Sequence, residues 1–516
     1  MENKASFRYF IKNSKYAIII ITLFALCAFG QRILSDSFSV DVEVYIYNNN
    51  IGTTVNWDWW NSLNRWGLVW LNQVLQTNGF PIFVANFTTV LTMIIYSIAF
   101  NFLFYINMKE EYRDNFLKYQ FIFPIIFLTN PIFAEQYNFV HQNMSVAIGI
   151  LMIPLSLLLF HKVEIVDSKL QKVLIFCLGI GMAVLGFGVY QSIIVLYVAT
   201  VVVCYFLKVL KEEDNNWKYL VKQIGIFSII IIIYQIISKL TGEKATYLQI
   251  AWLKDDFFIC IRNIWYVIKD TIKCRGMFYN IGYTLALGLL AIFTIHLIVK
   301  KKMRTGLAIS LLGIAIIPFY IMIITGVNQF YRTQFNYSFA TGIILMLAAL
   351  LFNKNTIAVK IGKTTLIILI FIIAYRQTYT TANLFNTADI VYKNDVKMAE
   401  KLTDKIEQKE WYNENKEYTL IFVGIYEHQS MNIYLKGELI GESLFSFGKD
   451  DGCGISGRAN MFLDILGYHF RIPTAEEFCE AKEYVQKENI KTWPNDKSII
   501  LMNEDTIIVR LSEKIN

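Results

Sequence analysis

The sequence predicts an α-helical polytopic membrane protein that ends in a small soluble α/β domain. Of its 516 residues, 55% are hydrophobic and only 17% are charged, whereas ordinary soluble domains carry about 25% charged residues. Apolar runs of membrane-spanning length recur through the first three quarters of the chain. Lys and Arg concentrate in the short loops between these runs, which is the positive-inside pattern of membrane proteins. The net charge of +7 therefore reflects membrane topology, and we expect no nucleic-acid partner.

Eleven apolar runs are predicted to cross the cell membrane, with the N-terminus in the cytoplasm and the C-terminal domain outside. The first run follows a basic N-terminal segment and is expected to be an uncleaved anchor. The predicted spans are 16–34, 80–108, 119–134, 144–160, 173–189, 192–207, 219–240, 279–299, 305–325, 339–352 and 364–379. Segment 241–278 places charges at regular intervals among apolar residues, which predicts amphipathic helices on the outer surface. Residues 1–380 are thus expected to form a transmembrane domain.

From about residue 381 the composition becomes that of a soluble α/β domain, so 381–516 is predicted to fold outside the membrane around a core of its own. The pattern predicts helices at 389–411 and 474–489, a buried strand at 418–424 and a hairpin at 498–513. The glycine-rich stretch 448–457 is interpreted as a turn. Cys453 and Cys479 are the one cysteine pair of this domain, and two free thiols are the favoured expectation.

The first outer loop, 35–79, contains the acids that are the best candidates for chemistry. Asp41 and Glu43 stand two residues apart, just past the first predicted span. A carboxylate at the membrane surface can take a proton from a sugar hydroxyl, or it can hold a divalent cation such as Mg²⁺ or Mn²⁺. Asp36 is a third candidate, and the spacing leaves the choice of base among the three open.

Other polar and aromatic side chains are also predicted to gather at the outer face. They are Asp58, Arg65 and Trp66 in the first outer loop, Glu135 and His141 in the second, Gln191 in the third, and Arg332 in the fifth. A charged side chain near the hydrocarbon edge is costly and tends to be paired or functional. Glu135 can cap a helix end or pair with an arginine. Arg332 can extend to the lipid headgroups or clamp a lipid-linked phosphate.

Four segments together resemble the serotype-converting, O-antigen-modifying membrane glucosyltransferases of glucosyl transferase family II. They are NWDWWNSLNRWG (56–67), NPIFAEQYNF (130–139), GVYQS (188–192) and GYHFRIPTAEEFCEAKEYVQKENIKTWP (467–494). The resemblance implies a GT-C-like membrane enzyme that uses a polyprenyl-phosphate sugar and keeps an essential carboxylate in its first outer loop. It makes Asp41 the catalytic candidate, with Glu43 as its neighbour. The family often has an arginine after the paired acids and a Gly-Arg-Trp triplet later. Here no arginine follows the acids, and Asn64 replaces the glycine.

The resemblance further implies inverting transfer of glucose or a similar hexose to a cell-surface polysaccharide. Arg332, together with Arg65, would bind the donor phosphate, and the other outer-face residues would contact the substrates. The expected partners are the lipid-linked sugar, the polysaccharide acceptor and membrane lipid, with a flippase and a cytoplasmic-face donor synthase supplying the donor. Two alternatives remain open, namely a lipid or polysaccharide transporter and a non-catalytic cell-wall assembly protein.

Overall fold

The structure is a computed structural model that describes residues 6–53, 55–75, 81–242, 250–351, 356–428 and 435–514. Most of these residues are helical. The helices are Phe7–Asn13, Lys15–Leu34, Val42–Asn50, Val55–Ser62, Trp66–Val74, Ile82–Asn107, Glu110–Tyr119, Ile122–Leu128, Ile132–Tyr137, Val140–Ile165, Lys169–Val189, Ser192–Glu212, Trp217–Leu240, Phe257–Ile272, Ile281–Val299, Thr305–Ile316, Tyr320–Thr325, Phe335–Leu351, Ile357–Glu407, Ser456–Ile465 and Ala475–Lys487, with 3-10 turns at Ala251–Leu253, Ile317–Phe319, Tyr331–Thr333 and Asp496–Ser498.

Nine of the predicted spans correspond, within the described ranges, to helices long and apolar enough to cross a membrane. A tenth, Phe335–Leu351, has only 17 residues, and nearly all of them are buried among other helices. The chain is therefore a polytopic helical membrane protein. Helix Phe257–Ile272 matches the predicted amphipathic segment, since one side exposes large apolar residues such as Phe258 and Trp265.

The predicted span at 119–134, which Pro124 and Pro131 interrupt in the sequence, does not form one membrane-crossing helix. The chain forms two short helices there, Ile122–Leu128 and Ile132–Tyr137. Asn130 separates them, and its side-chain oxygen accepts a hydrogen bond from the backbone N–H of Ile132 at 3.1 Å. Pro131 lacks a backbone N–H and so cannot continue the first helix's ladder. Both short helices are wholly buried, which is where a broken backbone is tolerated at membrane depth.

The C-terminal region contains the predicted strand, hairpin and capped helix. Strand β1 (Thr419–Val423) pairs in parallel with β3 (Thr506–Arg510), and β2 (Ile499–Leu501) pairs antiparallel with β3, giving the order β1-β3-β2. Helix Ala475–Lys487 begins with a complete capping box between Thr474 and Glu477. The cysteines at positions 453 and 479 are both free thiols.

Two features join the membrane helices to this region. The helix Ile357–Glu407 runs unbroken for 51 residues, so the predicted boundary at residue 380 falls inside a continuous helix. In addition, Phe38, Val40 and Val42 from the first outer loop belong to the hydrophobic core of the C-terminal region. The start of the first predicted outer loop is thus anchored in the C-terminal region (residues 381–514), which we call the outer domain after its predicted location.

Candidate functional site

The acid pair of the first outer loop lies directly against the outer domain. Asp41 adopts a left-handed backbone conformation (φ 73°) at the N-terminus of helix Val42–Asn50, and Glu43 lies in the first turn of that helix. Nη1 of Arg458 donates to Oδ1 of Asp41 at 2.8 Å and to Oε1 of Glu43 at 2.9 Å. One guanidinium nitrogen therefore bridges the two carboxylates across more than 400 residues of sequence.

The two acids differ in their access to solvent. The Asp41 side chain is 40% exposed, whereas that of Glu43 is fully buried. Burial raises the pKa of Glu43 to about 7, although the charge of Arg458 acts in the opposite direction. Oε2 of Glu43 is buried without a hydrogen-bond partner in the described part of the chain. Asp41 can consequently meet a substrate, while Glu43 is sealed behind it.

These residues do not fit a metal centre. The guanidinium of Arg458 contacts both Asp41 and Glu43, so a cation between them would have to displace it. Within the described ranges no group of three or more His, Cys, Asp and Glu side chains could hold a metal ion. Mg²⁺ or Mn²⁺ is therefore given no role in the chemistry below.

A stack of aromatic rings begins at Tyr45, which lies on the same helix as Glu43. The ring of Tyr45 stacks on that of His141 with ring centres 5.2 Å apart. The ring of Trp60 also stacks on His141, with ring centres 5.5 Å apart and planes only 8° apart. Nδ1 of His141 is buried and has no hydrogen-bond partner in the described structure. Arg65 lies within electrostatic range of His141, and its guanidinium carbon lies 4.6 Å from the ring centre of Tyr190. Residues from the predicted first, second and third outer loops thus come together here.

Trp66 continues this series to the membrane helices. Its ring lies against Gly188, where a Cβ atom would come within 2.6 Å of the indole, so this close approach requires glycine. The indole N–H donates to Oγ of Ser238 at 3.2 Å. The side chain of Gln191 donates a hydrogen bond to the carbonyl of Leu63, which fixes the third outer loop to the first.

An apolar groove of about 610 Å³ begins at Trp66. It lies between helices Lys169–Val189 and Trp217–Leu240, and its lining includes Gly181, Ile233 and Trp70. Trp70 is about half exposed, so the groove is open along one side. Its apolar lining and open side suit a hydrocarbon chain entering from a bilayer.

Glu135 and Arg332 meet at a second contact with the outer domain. The Glu135 carboxylate accepts hydrogen bonds from the backbone N–H groups of Glu438 (2.6 Å) and Leu439 (3.1 Å). Arg332 forms an ion pair with the Glu438 carboxylate at 3.2 Å. Burial raises the pKa of Glu135 to about 7, with the two backbone hydrogen bonds acting against the increase. A Cβ at Gly437 would overlap the Glu135 carboxylate, so this junction is tightly closed.

Asp36 and Asp58 occupy other surroundings. Both side chains are exposed, Asp36 before the anchored segment and Asp58 on helix Val55–Ser62. Neither is among the acids that Arg458 contacts.

Sequence reasoning missed three charged residues that organise these contacts. They are Arg458, Glu438 and the buried Arg32, whose guanidinium donates to the carbonyls of Ser37 (3.0 Å) and Asn138 (2.6 Å). Arg32 lies within an apolar run, where a charge is a usable signal of function or pairing. Neither Arg458 nor Glu438 belongs to a motif. The partners that tie them to the predicted site, Asp41 for Arg458 and Arg332 for Glu438, lie 417 and 106 residues away in the chain.

Comparison with known proteins places the chain in a family. No curated protein and no solved structure matches it. The family model described as glucosyl transferase GtrII matches residues 33–349, a region that begins just before the acid pair and ends in helix Phe335–Leu351. Because that region is more than half of the chain, the protein belongs to the GtrII glucosyl transferase family and is a membrane glycosyltransferase.

Proposed function

We propose that this protein transfers glucose or a similar hexose from a polyprenyl-phosphate donor to a cell-surface polysaccharide on the outer face of the membrane, with inversion. The observation that carries the proposal is the series of contacts from the apolar groove to the acid pair. Trp66 borders the groove, Arg65 precedes it in the chain, and His141 and Tyr45 lead on to the helix that bears Glu43.

The groove supplies a place for the donor lipid. A polyprenyl chain is apolar, and the groove lining, which includes Gly181 and Ile233, offers it van der Waals contacts in place of those it makes with membrane lipid. The donor phosphate would then lie near the Trp66 end of the groove. A planar guanidinium is suited to phosphate oxygens, so Arg65 binds the phosphate in this proposal. Arg332 is its second expected ligand.

Asp41 is the general base in the proposed reaction. Its accessible carboxylate removes the proton from an acceptor hydroxyl, and the resulting oxygen nucleophile attacks the anomeric carbon from the face opposite the phosphate. The bond between the anomeric carbon and the phosphate oxygen breaks, and the phosphate leaves with the electron pair. Arg65 and Arg332 stabilise the charge on the leaving group. His141, Trp66, Asp58 and Gln191 are the proposed substrate-binding residues. Glu135, which the sequence also predicts to bind substrate, is instead enclosed by its hydrogen bonds to the backbone of Glu438 and Leu439.

The proposed topology places the N-terminus in the cytoplasm and the outer domain outside the cell membrane. The donor would then be made by a synthase at the cytoplasmic face and moved outward by a flippase. The acceptor polysaccharide would approach the first outer loop from outside.

The test is sugar transfer by the purified protein. We expect labelled glucose to move from a polyprenyl-phosphate donor to isolated surface polysaccharide. Absence of transfer with every polyprenyl-phosphate hexose tried would contradict the proposed activity and favour transport or a scaffold role.

The groove is tested separately by filling it. A side chain at Gly181 would meet open space in the groove, so Gly181→Leu is expected to raise the donor KM by about tenfold, since bound hydrocarbon is worth about 0.8 kcal/mol per CH₂. Gly225→Leu is the matched control, because Gly225 is also an uncrowded helical glycine but does not line the groove. Equal donor KM values for the two variants would show that the lipid binds elsewhere.

A further inference from the structure

Arg458 is contributed to the acid pair by the outer domain. It lies on helix Ser456–Ile465, outside the region that matches the family model. Its side chain is 22% exposed, and its guanidinium carbon lies 4.7 Å from the ring centre of Phe447. Nε of Arg458 pairs with Asp451 at 3.3 Å while Nη1 contacts the first loop. The side chain is therefore fixed at both ends of its guanidinium.

The ionisation of Glu43 is sensitive to the charges that surround Arg458. Three carboxylates, those of Asp41, Glu43 and Asp451, share the single positive charge of Arg458. Asp451 is more than half exposed, so water screens its share. Glu43 is fully buried, and an unpaired buried carboxylate is strongly unfavourable. The ionised state of Glu43 thus depends mainly on Arg458, with Asp41 as the opposing charge.

We propose that Arg458 is a positioning residue of the transfer reaction, one that orients the Asp41 carboxylate toward the acceptor by bridging it to Glu43, so that the outer domain completes the catalytic site. This inference rests on the proposed function. When Asp41 takes the acceptor proton, its attraction to Arg458 weakens, and the guanidinium continues to neutralise Glu43. The proton passes from the acceptor oxygen to Asp41, and Arg458 keeps its own protons throughout.

Two arginine variants of the full-length protein test this role. In Arg458→Gln we expect kcat to fall by about tenfold or more while the donor KM changes little, because orientation of the base is lost and donor binding is not. Arg471→Gln is the matched control, since Arg471 forms an ion pair with Glu477 elsewhere in the outer domain. Its kcat should remain at the wild-type value.

The pH profile separates positioning from a purely structural role. Glu43 and Asp41 are linked through Arg458, so ionisation of Glu43 reaches the base only when Arg458 is present. Loss of Arg458 should therefore abolish the rise of kcat with pH through about 7, the pKa of Glu43 in the wild type. Added guanidinium ion should partly restore kcat to Arg458→Ala and leave the Arg471→Gln variant unchanged.

The outcomes are distinct. A wild-type kcat in folded Arg458→Gln overturns the inference, and so does a reduced kcat with an unmoved profile and no restoration by guanidinium. If Arg458→Gln fails to fold, Arg458→Lys decides, because a shorter ammonium cannot reproduce the guanidinium geometry and kcat should fall; a wild-type kcat there overturns the role. A wild-type protein that transfers no sugar overturns the proposed function itself.

Discussion

Glu43 and Glu135 are both buried glutamates that the outer domain contacts, yet their partners differ. Burial raises the pKa of each to about 7. Glu43 faces a guanidinium and lies beside the accessible Asp41, whereas Glu135 accepts two backbone N–H groups in a closed junction. Burial and a raised pKa are therefore common to both sites and do not by themselves distinguish a reactive acid from a docking contact. In the proposed function, the distinguishing feature is that a substrate can reach Asp41, the neighbour of Glu43.

The largest expected effect tests the accessible side of this comparison. Asp41→Asn keeps the size of the side chain but removes the proton acceptor, so kcat should fall by about 10² to 10⁴-fold. Folding should be retained, because Asp41 lies at the surface of the outer loop. The measurement is the transfer rate of purified protein at saturating donor.

Asp36→Asn is the matched control for this substitution, because Asp36 is an exposed acid of the same loop that Arg458 does not contact. Its rate should equal that of the wild type. A wild-type rate in Asp41→Asn would remove Asp41 as the base, and a large loss in Asp36→Asn would transfer that role to Asp36.

A smaller effect is expected from substituting Glu43, the buried neighbour of Asp41. When Glu43 is ionised it holds Arg458 in the bridge to Asp41, so wild-type kcat should rise with pH through about 7, the pKa of Glu43. Glu43→Gln cannot ionise. We expect its kcat to be reduced by about tenfold and to show no titration near that pH. A Glu43→Gln profile that still rises through pH 7 would assign the titration to another group.

The smallest effect on turnover is expected at the docking contact. Glu135→Gln keeps one acceptor oxygen but opposes an N–H group to a backbone N–H donor, which should lower the free energy of unfolding by about 1 to 3 kcal/mol. The kcat of the folded protein should change by less than about threefold, because Glu135 is closed to substrate in this arrangement. A large loss of kcat with unchanged stability would place Glu135 in the reaction instead.

The pH dependence of stability gives a second measurement at Glu135. A glutamate whose pKa is raised from 4.5 to about 7 on folding binds more protons in the folded state between these values. Its contribution to stability is therefore fully present below pH 4.5 and is lost as pH rises through 7. Thermal unfolding from pH 4.5 to 7.5 should show a shallower decline in Glu135→Gln than in the wild type.

The sequence predicted what local patterns determine. Apolar length located nine spans, and the capping box at Thr474 and Glu477 located a helix start. It could not predict that Arg458 reaches Asp41, because the contact joins residues 417 positions apart and no motif links them. Pro131 indicated an interruption near residue 130, but a proline alone could not predict the hydrogen bond from the backbone N–H of Ile132 to the side chain of Asn130.

Local patterns likewise could not predict how the two predicted parts of the chain contact each other. Phe38 and Val42 read as residues of a membrane-surface loop, yet they help to form the core of the outer domain. Hydrophobic residues next to a span indicate burial without indicating which partner buries them.

The 51-residue helix Ile357–Glu407 also affects how the outer domain is placed relative to the membrane-spanning helices. At 1.5 Å per residue it is about 77 Å long, more than twice the roughly 30 Å thickness of the hydrocarbon core. A continuous helix sets rotation as well as distance, because each inserted residue turns everything beyond it by about 100°. The number of residues in this one helix thus determines the rotation and the distance of the outer domain relative to the membrane-spanning helices.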